Sequence, residues 1–126
     1  MSGKPTSGAK GFVLKRVQDP VEATDGFRVL VDRLWPRGIS KAAAALDLWA
    51  KDIAPSTDLR QRTHAGEFSY EEFATAYALE LALPGARDRL DELRALAAAG
   101  PVTLLFAARE RSRNNATALL AVLVAP

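Results

Sequence analysis

The chain has 126 residues, of which 48% are hydrophobic, with 17 Lys or Arg against 15 Asp or Glu. This length fits one domain with a real apolar core, and a net charge of +2 is too small to make the whole surface a nucleic-acid-binding face. The chain has no cysteine, which excludes disulfides and thiolate chemistry, and with its single histidine it predicts no metal site and no cofactor.

The N-terminus is rich in Gly, Ser and Lys and has no apolar stretch that could serve as a signal peptide. We therefore expect a disordered tail over residues 1–10, followed by one domain over residues 11–126. The longest apolar run, residues 116–125, is too short to cross a bilayer and is typical of a buried helix. These features predict a cytoplasmic protein that does not contact a membrane.

Three apolar runs predict the strands of the sheet. The first begins at Phe12 and ends before Asp19-Pro20. The runs at residues 27–34 and 102–107 are nearly continuous in apolar and β-branched residues, which is typical of central strands covered on both faces. We predict that these two strands are parallel neighbours in one sheet.

The segments between these runs predict helices. An alanine run at residues 42–45 favours a short helix or turn, and N-terminal signals mark four longer helices. These signals are Ser56, Ser69, Pro84 and Ser112. Strands separated by helices predict an α/β fold, a small three-layer sandwich in which a parallel or mixed sheet is flanked by helices.

Basic residues concentrate after the first central strand. Residues 28–64 contain seven Lys or Arg against four Asp, a larger excess than that of the whole chain. Ligands of open α/β sheets lie beyond the carboxyl ends of the strands, and arginine forks pair well with phosphate or carboxylate. The candidate ligand-binding residues are Arg33, Trp35, Arg37, Lys41, Lys51, Ser56, Arg60 and Asn114, and the candidate catalytic residues for proton transfer are Asp32 and His64.

Structural roles compete with these assignments. Asp32 and Arg33 can pair with neighbours, Trp35 can pack in the rim of the core, and Arg60 can point into solvent. We expect Asp32 to be buried and hydrogen-bonded, orienting Arg33, Arg37 or Arg60. We also expect four of the basic candidates to converge with His64 on one partly enclosed anion site. These four are Arg33, Arg37, Lys51 and Arg60.

Two blocks of the sequence resemble a known family. Residues 28–38 (Arg-Val-Leu-Val-Asp-Arg-Leu-Trp-Pro-Arg-Gly) and residues 49–60 are similar to signatures of the YeaO-like (DUF488) family of uncharacterised bacterial proteins. The resemblance runs from about Phe12 to Leu123 and implies little about activity. Some family members are labelled as transcriptional regulators, but the strand–loop–helix pattern here does not resemble a winged helix.

The resemblance also identifies one departure. The family usually has Asn-His after the last strand, where this chain has Asn114-Asn115. The family's asparagine therefore corresponds to Asn114. The resemblance also implies that, if the family's histidine is catalytic, this chain has lost that role, because Asn115 stands in its place.

Three functions remain open from the sequence. The first is an enzyme or binding protein for a small phosphorylated or carboxylated ligand. The second is a nucleic-acid-binding module that uses the same basic residues, with Trp35 as a stacking residue. The third is a protein-interaction domain without chemistry. A concave pocket with a buried arginine favours the first function, and a flat basic face favours the second.

Overall fold

The computed structural model describes residues 8–126, so most of the predicted tail lies outside the described residues. Its last part is not disordered, because strand β1 (Gly8–Ala9) pairs antiparallel with β2 (Phe12–Arg16). Gly11 has a φ of +88°, and a Cβ at this position would lie 2.5 Å from the carbonyl oxygen of Ala97. A glycine therefore lets the chain reverse tightly against the neighbouring helix.

The sheet has the strand order β1-β2-β5-β3-β4, with β3 at Phe27–Leu30, β4 at Leu48–Trp49 and β5 at Val102–Phe106. Strands β2, β5, β3 and β4 are parallel, and β3 and β5 are neighbours, as predicted. The first central strand is shorter than predicted. The backbone amide of Val31 still donates to the carbonyl of Leu105. Beyond this point the backbone amide of Ala107 donates to the side-chain carboxylate of Asp32 and not to its backbone.

Five α-helices connect and follow the strands. They are α1 (Lys41–Ala44), α2 (Thr57–His64), α3 (Tyr70–Leu81), α4 (Pro84–Ala99) and α5 (Asn115–Val124). The N-caps predicted at Ser56 and Ser69 are confirmed. The cap predicted at Ser112 is wrong, because Ser112 donates to Glu110, while the side chain of Asn114 accepts from the amide of Thr117, the third residue of α5.

Apolar side chains alternate between the two faces of the sheet and confirm the α/β fold. Val102, Leu104 and Phe106 of β5 pack in a large cluster with apolar residues of α2, α3, α4 and α5. Leu30 and Leu105 point to the other face, where a smaller cluster includes Ala44 of α1 and the half-buried tryptophans. Trp35 and Ile39, in the loop after β3, pack against this smaller cluster.

A buried ionic cluster lies at the start of β3. Asp25 is 4% exposed and accepts hydrogen bonds from the ammonium of Lys15 at 2.9 Å and from the guanidinium of Arg28, which are 7% and 4% exposed. Arg28 also donates to the carbonyls of Ala44 and Ala45. The cluster therefore ties β2 and β3 to the end of α1.

Across residues 8–126 we find no helix that is both long and apolar enough to cross a membrane. The most apolar helix, α5, has 10 residues, whereas a spanning helix needs about 20. The cytoplasmic location stays a prediction from the sequence.

Candidate functional site

A cavity of about 520 Å³ lies at the carboxyl edge of β3 and β5, where the sheet rule predicted a site. Its walls come from the loops after these strands, from α2 and α3, and from the start of α5. Seven of the ten predicted residues line it: Asp32, Arg33, Trp35 and Arg37 after β3, Arg60 and His64 on α2, and Asn114 before α5.

Three predicted residues do not line this cavity. Lys41 is an exposed residue of α1, and the ammonium of Lys51 lies 4.1 Å from the ring centroid of Trp49. Ser56 caps α2, and its backbone amide and hydroxyl both donate to the carboxylate of Glu80. The structure therefore places four of the five side chains expected to converge in one cavity, with Lys51 outside it.

Three of the lining residues support the walls through contacts within the protein. Arg33 donates from Nε to the carbonyl of Pro55 at 2.8 Å, which joins the loop after β3 to the segment before α2. Trp35 donates to the carbonyl of Ile39 and packs edge-on against Trp49, with ring centroids 5.2 Å apart. The side-chain amide of Asn114 accepts from the backbone of Thr117, which caps α5, and donates to the carbonyl of Glu110.

Arg60 has a buried polar atom without a partner among the described residues. Its Nε is buried and has no hydrogen-bond partner in the part of the chain that the structure describes. Thr63 and His64 lie three and four residues further along α2, on the same helical face, and they line the same cavity. Arg37 lines the cavity from an exposed position and forms no ion pair within residues 8–126.

Asp32 is half-buried and hydrogen-bonded, but the expectation that it orients an arginine is wrong. Its carboxylate accepts from the amide of Ala107 at 2.9 Å and from Nδ2 of Asn115 at 2.9 Å. Burial raises the pKa of Asp32, and these two hydrogen bonds only partly oppose the effect. The side chain therefore holds the ends of β3, β5 and α5 together and places a desolvated carboxyl at the cavity.

Several lining residues were not predicted. Tyr70 and Phe73 of α3 line the cavity with ring centroids 6.1 Å apart. Arg113 lies over the ring of Tyr70 and pairs with the exposed carboxylate of Glu71. Asn115 was set aside as a departure from the family pattern, yet it donates directly to Asp32.

The raised pKa of Asp32 predicts a pH effect on stability. The native state takes up a proton at a higher pH than the unfolded state does. Protonation of this carboxyl therefore raises the free energy of unfolding as the pH falls from above the folded pKa toward the ordinary value of 3.8. We expect the free energy of unfolding of the wild type to rise relative to that of Asp32→Asn in this range, by at most about 1.4 kcal/mol per pH unit. Urea unfolding of both proteins between pH 4 and 7 measures the difference, and parallel curves would contradict the prediction.

Comparisons with known proteins identify the family. The family described as "Inactive DUF488-N3 subclade" matches residues 11–126. This chain belongs to the DUF488-N3i family. It is 46% identical over 105 residues to "Uncharacterized protein YeaO" of Escherichia coli, a match that covers 83% of this chain and 90% of the relative. It is 41% identical over 108 residues to "Uncharacterized protein Rv3073c" of Mycobacterium tuberculosis, which covers 86% of this chain and 89% of the relative.

The DUF488-N3i match confirms the YeaO-like resemblance and spans every residue that lines the cavity. Neither relative's name states a ligand or a reaction. No solved structure matches the chain.

Proposed function

We propose that the cavity binds a small phosphate- or carboxylate-bearing ligand, with Arg60 and Arg37 as the groups that receive the oxyanion. The observation that carries this proposal is the buried Nε of Arg60, which has no partner within the described residues. An unpaired buried donor costs about 1–3 kcal/mol, and a guanidinium stays charged at any physiological pH. A bound oxyanion that pairs with the guanidinium of Arg60, which lines the cavity, would make its charge favourable.

The surroundings of Arg60 support an anion at this position. Arg37 and His64 are exposed and line the same cavity, and Arg33 contributes a positive charge although its fork is bound to backbone carbonyls. The carboxylate partner of Arg113 is exposed, so that guanidinium can exchange it for a ligand at little cost. The basic groups therefore outnumber the single lining carboxylate, Asp32.

The concave shape supports a small ligand over an extended polymer. A volume of about 520 Å³ falls within the usual range of small-molecule sites, roughly 300–1,000 Å³. Trp35, the residue considered for stacking on nucleic acid, is half-buried and fixed by its hydrogen bond to Ile39 and its contact with Trp49. A nucleic-acid or protein-interaction role has no comparable support from the cavity.

We further propose that the chain binds this ligand without converting it. The family that matches is described as inactive. Asp32 and His64, the side chains considered for proton transfer, have no hydrogen bond to each other within residues 8–126, and Asp32 is bound by Ala107 and Asn115. The raised pKa of Asp32 is explained by its burial and needs no catalytic role.

A titration of inorganic phosphate, followed by calorimetry, tests the proposed anion site. Arg60→Gln is expected to weaken phosphate binding about 10- to 100-fold, because a charged hydrogen bond contributes about 1.5–3 kcal/mol. Its free energy of unfolding should not fall, since Nε has no partner to lose.

Arg62→Gln is the matched control, because Arg62 lies on the same helix, is exposed and pairs with Glu67. This variant should bind phosphate as the wild type does. Equal binding by wild type, Arg60→Gln and Arg62→Gln, or no binding by any of them, would reject the anion site.

A further inference from the structure

The cavity is larger and less polar than an inorganic anion requires. It has about 520 Å³ of space, whereas one water takes about 30 Å³ in the liquid, so a four-oxygen ion would leave most of the volume unfilled. Seven of the lining residues are aliphatic, proline, tryptophan or phenylalanine, among them Leu34, Pro55 and Ala108. Apolar walls with a few placed polar groups are typical of sites for organic ligands.

Aromatic rings form a distinct part of these walls. Tyr70 and Phe73, one turn apart on α3, present neighbouring rings tilted by 39°. The hydroxyl of Tyr70 binds Thr117 and the carbonyl of Asn114, so this ring is fixed against the start of α5. Fixed rings bury a planar group with little loss of conformational entropy.

The cavity has one carboxyl, that of Asp32, at the sheet edge, and its basic side chains lie on α2, before α5 and in the loop after β3. Arg60 and His64 lie on α2, and Arg37 lies in the loop after β3. Asp32 accepts only from an uncharged backbone amide and from Asn115, and it forms no ion pair within residues 8–126. An anionic group next to Asp32 would be repelled, whereas a neutral group or a hydrogen-bond donor would be accepted.

We infer that the ligand is an organic oxyanion with a planar, uncharged body, whose anionic group binds Arg60 while its body lies against Tyr70 and Phe73 with its neutral end toward Asp32. This inference rests on the proposed function. It adds the class of the ligand and predicts that a second negative charge, at the far end of the body, is rejected. Phosphate and carboxylate share the oxyanion chemistry, so both are included in the test.

The experiment compares probes of increasing size in calorimetric titrations of the wild type. Phenyl phosphate should bind at least tenfold more tightly than inorganic phosphate, or benzoate at least tenfold more tightly than acetate, because the ring buries apolar surface. 4-Carbamoylphenyl phosphate should keep this gain. 4-Carboxyphenyl phosphate, which has nearly the same shape with a charge at the far end, should lose it.

A pair of variants locates the body of the ligand. Phe73→Leu should weaken phenyl phosphate binding about threefold to tenfold and leave inorganic phosphate unchanged. Phe68→Leu is the matched control, because Phe68 lies under the guanidinium of Arg62 and does not line the cavity. Both variants are checked for the native fold by their NMR spectra.

The outcomes separate this inference from the proposed function. If inorganic phosphate binds in an Arg60-dependent way but neither aromatic probe binds more tightly than its small counterpart, the inference is overturned and the anion site stands. Equal binding of the carbamoyl and carboxyl probes would overturn the predicted polarity of the cavity. If no probe binds, both the inference and the proposed function fail.

Discussion

Replacing Asp25 with alanine is expected to lower the free energy of unfolding by about 3–5 kcal/mol. The carboxylate lies between Lys15 and Arg28, and all three side chains are almost completely buried. Removing it leaves two buried cations whose remaining counter-charge is the exposed carboxylate of Glu22, 3.3 Å from the ammonium of Lys15. The same change also removes the acceptor for the backbone amide of Glu22.

Urea unfolding at pH 7 measures this effect, with Asp58→Ala as the control. Asp58 is an exposed residue of α2 whose carboxylate lies 3.7 Å from Arg62, and such surface pairs contribute less than about 1 kcal/mol. Similar unfolding midpoints for the two variants would show that the buried cluster does not stabilise the fold.

The pKa of Asp25 makes the same interaction dependent on pH. Burial alone would raise this pKa, but hydrogen bonds from Lys15, the backbone of Glu22 and Arg28 outweigh burial and lower it. Because the folded pKa is lowered, the ionised carboxylate stabilises the native state at pH values above its ordinary pKa of 3.8. This stabilisation is lost as the pH falls through the folded pKa. The difference between wild type and Asp25→Ala should therefore shrink in strong acid.

The second large effect is expected at Gly26, where alanine should lower the free energy of unfolding by about 2–5 kcal/mol. Gly26 has a φ of +66°, and a Cβ there would lie 2.2 Å from the carbonyl oxygen of Pro101. That carbonyl accepts the amide of Phe27 and so fixes the start of β3 beside β5. The added carbon can be accommodated only if the two central strands move apart.

Gly66→Ala is the comparison at an uncrowded glycine with a positive φ. Gly66 has a similar φ of +82°, but a Cβ there has no atom within 4 Å. The Gly66→Ala variant should lose only the free energy needed to hold alanine in the left-handed conformation, about 1–2 kcal/mol. Equal costs at Gly26 and Gly66, measured by thermal or urea unfolding, would show that the strands tolerate the displacement.

Much of the fold follows from local sequence signals. The apolar runs predicted β3 and β5 as parallel neighbours, and the Ser-x-x-Glu pattern predicted the start of α3. Strand β1 was missed because two residues, one of them glycine, give no periodic signal. The cap of α5 was misplaced because both Ser112 and Asn114 suit an N-cap, and only the contact with Thr117 distinguishes them.

The site could be predicted only where backbone topology determines it. The sheet rule brought the loops after β3 and β5 together, and Asp32 and Arg37 line the cavity at this edge. A count of charges does not give the direction of a side chain, which is why Lys41 and Lys51 were included although they lie elsewhere. The aromatic wall of Tyr70 and Phe73 was missed because one helical stripe contributes to both the core and the cavity.

The NMR signal of the Arg60 Nε–H group tests the central claim most directly, because it reports on the atom that carries the proposal. The Arg60→Gln variant assigns this signal by its absence, and inorganic phosphate or phenyl phosphate is then titrated into the uniformly labelled wild type. The account predicts a saturable shift of the Arg60 Nε–H signal while that of Arg62, which is already bound to Glu67, stays in place. An unshifted Arg60 signal at saturating ligand, or equal shifts of both signals, would contradict an anion site in this cavity.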